Sequence, residues 1–163
     1  MEDFCLHLLN SEWTLWYHKS NNSDWSFESY INISTFKSIE EFGILYNNLK
    51  STHVQNSMLF LMRDDIKPLW ESPKNKNGGY ISFKIFKKDI YESWNELSYL
   101  LIGENILKNK DDYRCINGIS ISPKKTFSII KIWMADNNNT IESKFNKIKN
   151  FKFKEAIYKK HSS

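Results

Sequence analysis

The chain has 163 residues, enough for one domain with a substantial core, because two would leave only about 80 residues each. Hydrophobic residues make up 40% and charged residues 26%, an ordinary globular balance. Six tryptophans and 15% aromatics stand out against a mean hydropathy of −0.56. The formal charge of +4 is compatible with a nucleic-acid partner without requiring one. Apolar stretches such as Met58–Met62 and Tyr99–Ile102 fall far short of the roughly 20 residues of a membrane-spanning helix. Acid at Met1-Glu2-Asp3-Phe4 opposes a secretory signal. Cys5 and Cys115 support neither a disulfide scaffold nor a zinc site, so cytosol or nucleus is the expected compartment. The basic residues are almost all lysine, with only Arg63 and Arg114 as arginines, a bias expected of an AT-rich coding sequence.

In chain order, Trp13–His18 and Phe27–Phe36 read as strands separated by the polar turn Lys19–Asp24. Ser38-Ile39-Glu40-Glu41 is a capping box. It opens a helix to about Leu49, whose apolar face is Ile39, Phe42, Leu45, Tyr46 and Leu49. Met58–Met62 reads as a short buried strand. Gly78-Gly79 introduces Tyr80–Phe86, where Ile81, Phe83 and Ile85 alternate with more polar neighbours. Asp89-Ile90-Tyr91-Glu92 starts a second helix with Ile90, Trp94, Leu97 and Leu101 at helical spacing. Two β-rich runs follow, Cys115–Ser122 and Thr126–Met134, joined by Pro123-Lys124-Lys125. A third helix is predicted from about Thr140 to Lys149, and a last strand near Ala156–Tyr158. Seven or eight strands and three helices without βαβ alternation predict an α+β fold: a largely antiparallel sheet with helices on one face.

Signatures of nucleotide-binding loops, serine hydrolases and zinc proteases are missing, and His7, His18, His53 and His161 have no evident nucleophile partner. Asp64-Asp65 and Asp111-Asp112 read as solvated turns rather than metal ligands. Nothing in the sequence argues for catalysis. The tryptophans remain. Trp94 belongs to a helix core face, and Trp13 and Trp16 point to opposite sides of their strand, so at least one is core. Trp25 follows the polar turn, and Trp70 lies in a loop bounded by Pro68 and Pro73. Two loop tryptophans are costly exposures unless they hold something between them. Beside Trp70, Glu71 would accept hydrogen bonds from the edge of a flat stacked ligand, provided the loop bends away from strand geometry. An ionised carboxylate only accepts, so it selects an edge with two donors. Guanine has that edge and adenine does not, and a cationic base would stack better still.

On these residues the sequence resembles the translation initiation factor 4E family of mRNA cap-binding proteins, from about His7 to His161. The matching segments are Glu12–Tyr17, Ile66–Glu71, Lys74–Gly79, Leu101–Glu104 and Ile130–Trp133. The resemblance implies a curved antiparallel sheet of about seven or eight strands with three helices on its convex back, in one domain spanning 1–163. It also implies a pocket for the 7-methylguanosine triphosphate of capped mRNA on the concave side, without cofactor, metal or membrane, in a monomer. By resemblance, Trp25 and Trp70 are the stacking walls, Glu71 takes the guanine edge, and Trp133 contacts the methyl group.

The phosphate side departs from the family pattern. Its arginine corresponds to Lys124, a point charge rather than a bidentate fork. Two family lysines fall on Thr126 and Ile129, and the arginine after the double glycine is Tyr80. Lys124, Lys125 and Lys131 are the expected phosphate ligands. The partner surface, which takes a helical motif of a scaffold of the initiation factor 4G type, maps to His7, Ile39, Gly43, Glu96 and Tyr99. Gly43 stands where the family has a clamping tryptophan, while Leu8 and Tyr99 also differ. The family's loop beyond the last strand is missing from this sequence, so cap affinity or exchange rate is expected to differ. Three functions stay open: a divergent cap-binding initiation factor of an unusual cell or a large DNA virus, a cap-binding repressor or decoy, and a module that uses only its back face.

Overall fold

A computed structural model describes residues 5–138 and 140–161; the acidic start Met1–Phe4 and the end at Ser163 lie outside the described residues. Seven antiparallel strands form one curved sheet: β1 (Leu8–His18), β2 (Ile31–Ser38), β3 (Met58–Arg63), β4 (Gly79–Phe86), β5 (Ile116–Pro123), β6 (Phe127–Met134) and β7 (Ile157–Lys160). Their order is β2-β1-β3-β5-β6-β4-β7. Among the described residues there are three helices, α1 (Ile39–Asn48), α2 (Ser51–Asn56) and α3 (Ile90–Ile102).

Strand alternation divides the sheet into two faces of different character. Trp13, Leu15, Leu59, Leu61, Ile81, Phe83, Ile85, Ile119, Ile121, Ile130 and Ile132 join Phe42, Tyr46, Trp94, Leu97 and Leu101 of the helices in one core. The opposite face carries a smaller cluster of Phe60, Met62, Ile66 and Trp133, with Trp16 packed against it. Trp13 and Trp16 therefore do fall on opposite sides. Arg63, buried behind Trp13, stitches the centre of the sheet. Its guanidinium lies 4.5 Å from the Trp13 ring and donates to Ser11 Oγ and to the Ile116 and Tyr113 carbonyls.

The capping box forms as the sequence predicts, with the Glu41 N–H donating to Ser38 Oγ and Glu41 accepting from the Lys37 N–H and the Ser38 hydroxyl. Three elements differ from expectation. Phe27–Ser29 is a 3-10 turn, so β2 begins only at Ile31. The short α2 was not legible, being six residues of which all but Gln55 are weak helix formers (STHVQN). The helix predicted over 140–149 does not form; only Glu142–Lys144 makes a 3-10 turn. Its backbone is engaged elsewhere. The Lys108 N–H donates to the Lys144 carbonyl, the Asn146 N–H to the Ile106 carbonyl, and Leu107 bridges Phe145. Phe145 and Ile148 are still buried, so the apolar period reports burial without helix.

Gly43 sits within α1 with nothing within 4 Å of where a Cβ would stand. Gly43→Ala is therefore expected to stabilise the protein by about 1 kcal/mol, the helix-propensity difference. Urea denaturation measures it, and a loss of stability would show that this position is more crowded than the structure shows.

Candidate functional site

The helix-free face holds a cavity of about 460 Å³ whose lining includes Trp25, Tyr30, Phe60, Trp70, Glu71, Tyr80, Ser120, Lys131, Trp133, Lys159 and His161. This volume suits a small organic ligand. Each wall has a distinct structural cause.

Trp25 is held by the polar run that precedes it. The Asp24 N–H donates to Asn22 Oδ1, and Asp24 Oδ1 accepts from the Ser26 N–H, a bond that leads in holding the Asp24 carboxyl below its ordinary range. The Asp24 carbonyl pairs with His18 Nε2 at 2.8 Å. The buried His18 ring lies parallel to the indole, with centroids 4.2 Å apart and planes 5° from parallel. One indole face is thus backed by imidazole, while Trp25 keeps 49% of its surface exposed and lines the cavity.

Trp70 and Glu71 are the two central residues of a turn closed by the Ser72 N–H donating to the Leu69 carbonyl. This is the bend that two adjacent side chains need to serve one cavity, since a straight strand would part them. The loop is pinned from inside by Asn75, which is fully buried. Its Nδ2 donates to the Lys67 and Leu69 carbonyls, and its Oδ1 accepts from Asn117 of β5. Gly78 closes the loop against β6, where a Cβ would lie 1.8 Å from the Met134 carbonyl oxygen. The two tryptophan loops also touch, with Lys67 Nζ 4.4 Å from the Phe27 ring centroid. Trp70 is 53% exposed.

Trp133, by contrast, is 6% exposed and forms the floor, its indole N–H donating to Ser120 Oγ at 2.9 Å. Burial, aided by the negative charge of Glu71, pushes the Tyr30 phenol up to about 12. Glu71 and Tyr30 therefore share one environment. On the other side, Lys131 Nζ lies 4.2 Å from the Tyr80 ring centroid. Burial, then the charges of Lys124 and Lys159, hold its ammonium below the ordinary lysine range.

Of the expected base-contacting set, Trp25, Trp70, Glu71 and Trp133 all line the cavity. Of the expected phosphate ligands only Lys131 does. Lys124 and Lys125 are exposed at the tip of the β5–β6 hairpin, and of these two it is Lys124 whose charge acts on Lys131. Sequence reasoning missed Lys159, Lys160 and His161 of the last strand and its end, which also line the cavity. Period two on β7 would have put Lys159 and His161 on one face, but not which strand β7 joins. Asn75 lies within a matched segment, yet its pinning role has no local signature. Among the described residues no three His, Cys, Asp or Glu side chains gather as a metal site requires.

On the helical side, a separate groove of about 390 Å³ is lined by Ile39, Gly43 and Tyr99 together with Leu9, Phe42 and Tyr46. His7 stands at its margin, paired with Glu40 and accepting from the Ile39 N–H. Glu96, one turn before Tyr99 on α3, does not line it.

His161 packs 5.0 Å from Trp133 and 5.6 Å from Tyr80. Burial, then Lys131, pushes its imidazole down from 6.5 to about 4. The unfolded chain then binds a proton that the folded chain refuses, so this group's contribution to stability holds above pH 6.5 and is lost as pH falls towards 4. An NMR titration of His161 is expected to show a midpoint near 4, moving part of the way back in Lys131→Met. A midpoint near 6.5 would place the ring outside the cavity.

The sequence profile of the family "Eukaryotic initiation factor 4E" matches residues 8–163. Translation initiation factor 4E of Saccharomyces cerevisiae is 34% identical over 134 residues, covering 78% of this chain and 61% of the yeast protein. Initiation factor 4E1 of Drosophila melanogaster is 37% identical over 139 residues, covering 82% and 52%. The chain thus spans under two thirds of the length of these curated relatives. Among solved structures, Ascaris suum eIF4E-3 in complex with m7G cap superposes with a TM-score of 0.73 at 26% identity, covering 83% of this chain and 77% of that one. A schistosome eIF4E in complex with m7GpppG and 4E-BP gives 0.72 at 27%, covering 82% and 74%. No helix among the described residues is long and apolar enough to cross a membrane. With a match over nearly the whole chain, the chain belongs to the eukaryotic initiation factor 4E family.

Proposed function

We propose that the protein binds the 7-methylguanosine 5′ cap of cytoplasmic mRNA and promotes translation initiation through a helical scaffold partner on its convex face. The observation that carries this reading is the convergence of Trp25, Trp70, Glu71 and Trp133 on one cavity. In it the base lies between the two exposed indoles. Trp25 meets it already backed by His18, so less side-chain freedom is lost on binding. Glu71 accepts from the guanine imino N–H and exocyclic amine, and Trp133 packs against the methyl group. Methylation makes the purine cationic, which strengthens both the stacking and the attraction to Glu71.

The triphosphate leaves the cavity past Lys131, which Lys159 flanks on one side and Lys124 on the hairpin side. Lys131 is half-buried beside two other lysines, an arrangement that a bound anion relieves. The part expected of Lys125 shrinks to long-range attraction, because it is exposed and lines no wall. For the scaffold, the space left by Gly43 between α1 and α3 fits a partner helix with a bulky apolar residue at that point.

Titration with m7GTP is expected to quench tryptophan fluorescence, with unmethylated GTP binding more weakly. By calorimetry, Trp70→Ala should weaken m7GTP binding by about 1–3 kcal/mol, the range for base–aromatic stacking. Glu71→Gln should cost roughly 1.5–3 kcal/mol, as for a hydrogen bond to a charged group. Absent binding, or binding insensitive to Trp70→Ala, would overturn the cap reading.

A further inference from the structure

The helix-free face does not end at the cavity. Strands β4 and β6 pair in the register Tyr80↔Trp133, Ser82↔Lys131, Lys84↔Ile129 and Phe86↔Phe127. Tyr80, Lys131 and Trp133 line the cavity, so by period two the same face continues to Phe86 and Phe127. Lys84 fixes the orientation, its Nζ lying 4.5 Å from the Phe127 ring centroid and 5.5 Å from that of Phe86. Phe86 is 56% exposed. The six residue steps from Trp133 to Phe127 span about 20 Å at roughly 3.3 Å per step.

We propose that this far end of the β4–β6 face is a platform for the single-stranded RNA that follows the cap. Phe86 and Phe127 stack on a base, and Lys84 with the hairpin lysines Lys124 and Lys125 holds the phosphates. The inference rests on the cap reading for its direction, because the strip begins where a cap triphosphate leaves the cavity.

Charge selects the occupant. Strands β4 to β7 (GYISFKIF, INGISISP, FSIIKIWM and IYKK) contain no Asp or Glu. They and the β5–β6 hairpin carry Lys84, Lys124, Lys125, Lys131, Lys159 and Lys160. Lys74, Lys149 and Lys152, which do pair with acids, lie elsewhere in the chain. A one-signed lysine strip with interleaved aromatics suits a polyanion bearing flat bases, which stack on exposed aromatics of a sheet regardless of sequence. A second copy of this chain would bring like charge against like. The strip also gives work to the exposed hairpin lysines, which do not line the cavity.

The test compares m7GTP, a capped pentanucleotide and the same pentanucleotide uncapped, by calorimetry at several salt concentrations. Wild-type protein is expected to bind capped RNA about 5- to 10-fold more tightly than m7GTP, towards the low end of what one stacked base supplies. Phe86→Ala, at an exposed position outside the core, should remove most of that gain and leave m7GTP binding unchanged. Lys84→Ala should lower the salt slope for capped RNA by about 0.7, one phosphate contact on a single strand. Equal affinity for m7GTP and capped RNA, or a gain that survives Phe86→Ala and Phe86→Ala/Phe127→Ala, would overturn the platform. So would a concentration-dependent dimer abolished by Phe86→Ala. If m7GTP itself fails to bind, the cap reading falls separately. The platform then stands only if uncapped RNA crosslinks to this face in a Phe86-dependent way, and falls if it does not.

Discussion

The site depends on one buried amide. Asn75 donates both its Nδ2 hydrogens to the carbonyls of Lys67 and Leu69, and its oxygen accepts from Asn117, which also donates to the Lys74 carbonyl. These bonds fold residues 66–78 back on themselves and tie the loop to the middle of the sheet. Only then do two neighbouring side chains, Trp70 and Glu71, look into one cavity. A buried amide left without partners costs about 1–3 kcal/mol, so the loop opens only by breaking several bonds together. Trp25 is fixed by an equivalent but weaker device, an Asx-type turn that lays the indole on the buried His18.

The sheet supplies the remaining condition, which is a face with no helix on it. All three helices serve the other side, where the large core lies. The free face can therefore afford polar and aromatic side chains around a hollow. Its charges are polarised: Glu71 stands on the loop side, and Lys131 and Lys159 stand on the side of the last strands. Burial pushes the Tyr30 phenol up and the His161 imidazole down, so each is moved further from ionising near pH 7. A ligand with a cationic ring and an anionic tail fits that polarity, and a uniformly charged one does not.

Much of this was legible in the residues. The alternation of Ile81, Phe83 and Ile85, the capping box at Ser38 and the helical spacing of Ile90, Trp94, Leu97 and Leu101 each have a local cause, and each formed. The segment 140–149 shows where local cause fails. Phe145 and Ile148 carry a helical period, but cross-chain hydrogen bonds to residues 106–108 took the backbone instead. At the cavity, exposure logic pointed to Trp25 and Trp70 and adjacency to Trp70 pointed to Glu71, and all three line it. Neither could find Lys159 or His161, whose place depends on β7 pairing with β4 across some 75 residues of chain. Asn75 escaped for a similar reason: its partners are backbone carbonyls that only the folded loop brings near. Lys124 was expected at the ligand because it matches a family position and Lys125 because it adjoins one, yet a hairpin tip holds both outside the cavity.

The most direct test of the site is the structure of this protein bound to m7GpppA. The base is expected between Trp25 and Trp70, its imino and amino edge on Glu71, its methyl group against Trp133, and its triphosphate running past Lys131 towards the β5–β6 hairpin. The His18–Trp25 stack should be unchanged from the free protein. A dinucleotide bound elsewhere on the sheet, or a base in the cavity with its edge turned away from Glu71, would contradict the assignment.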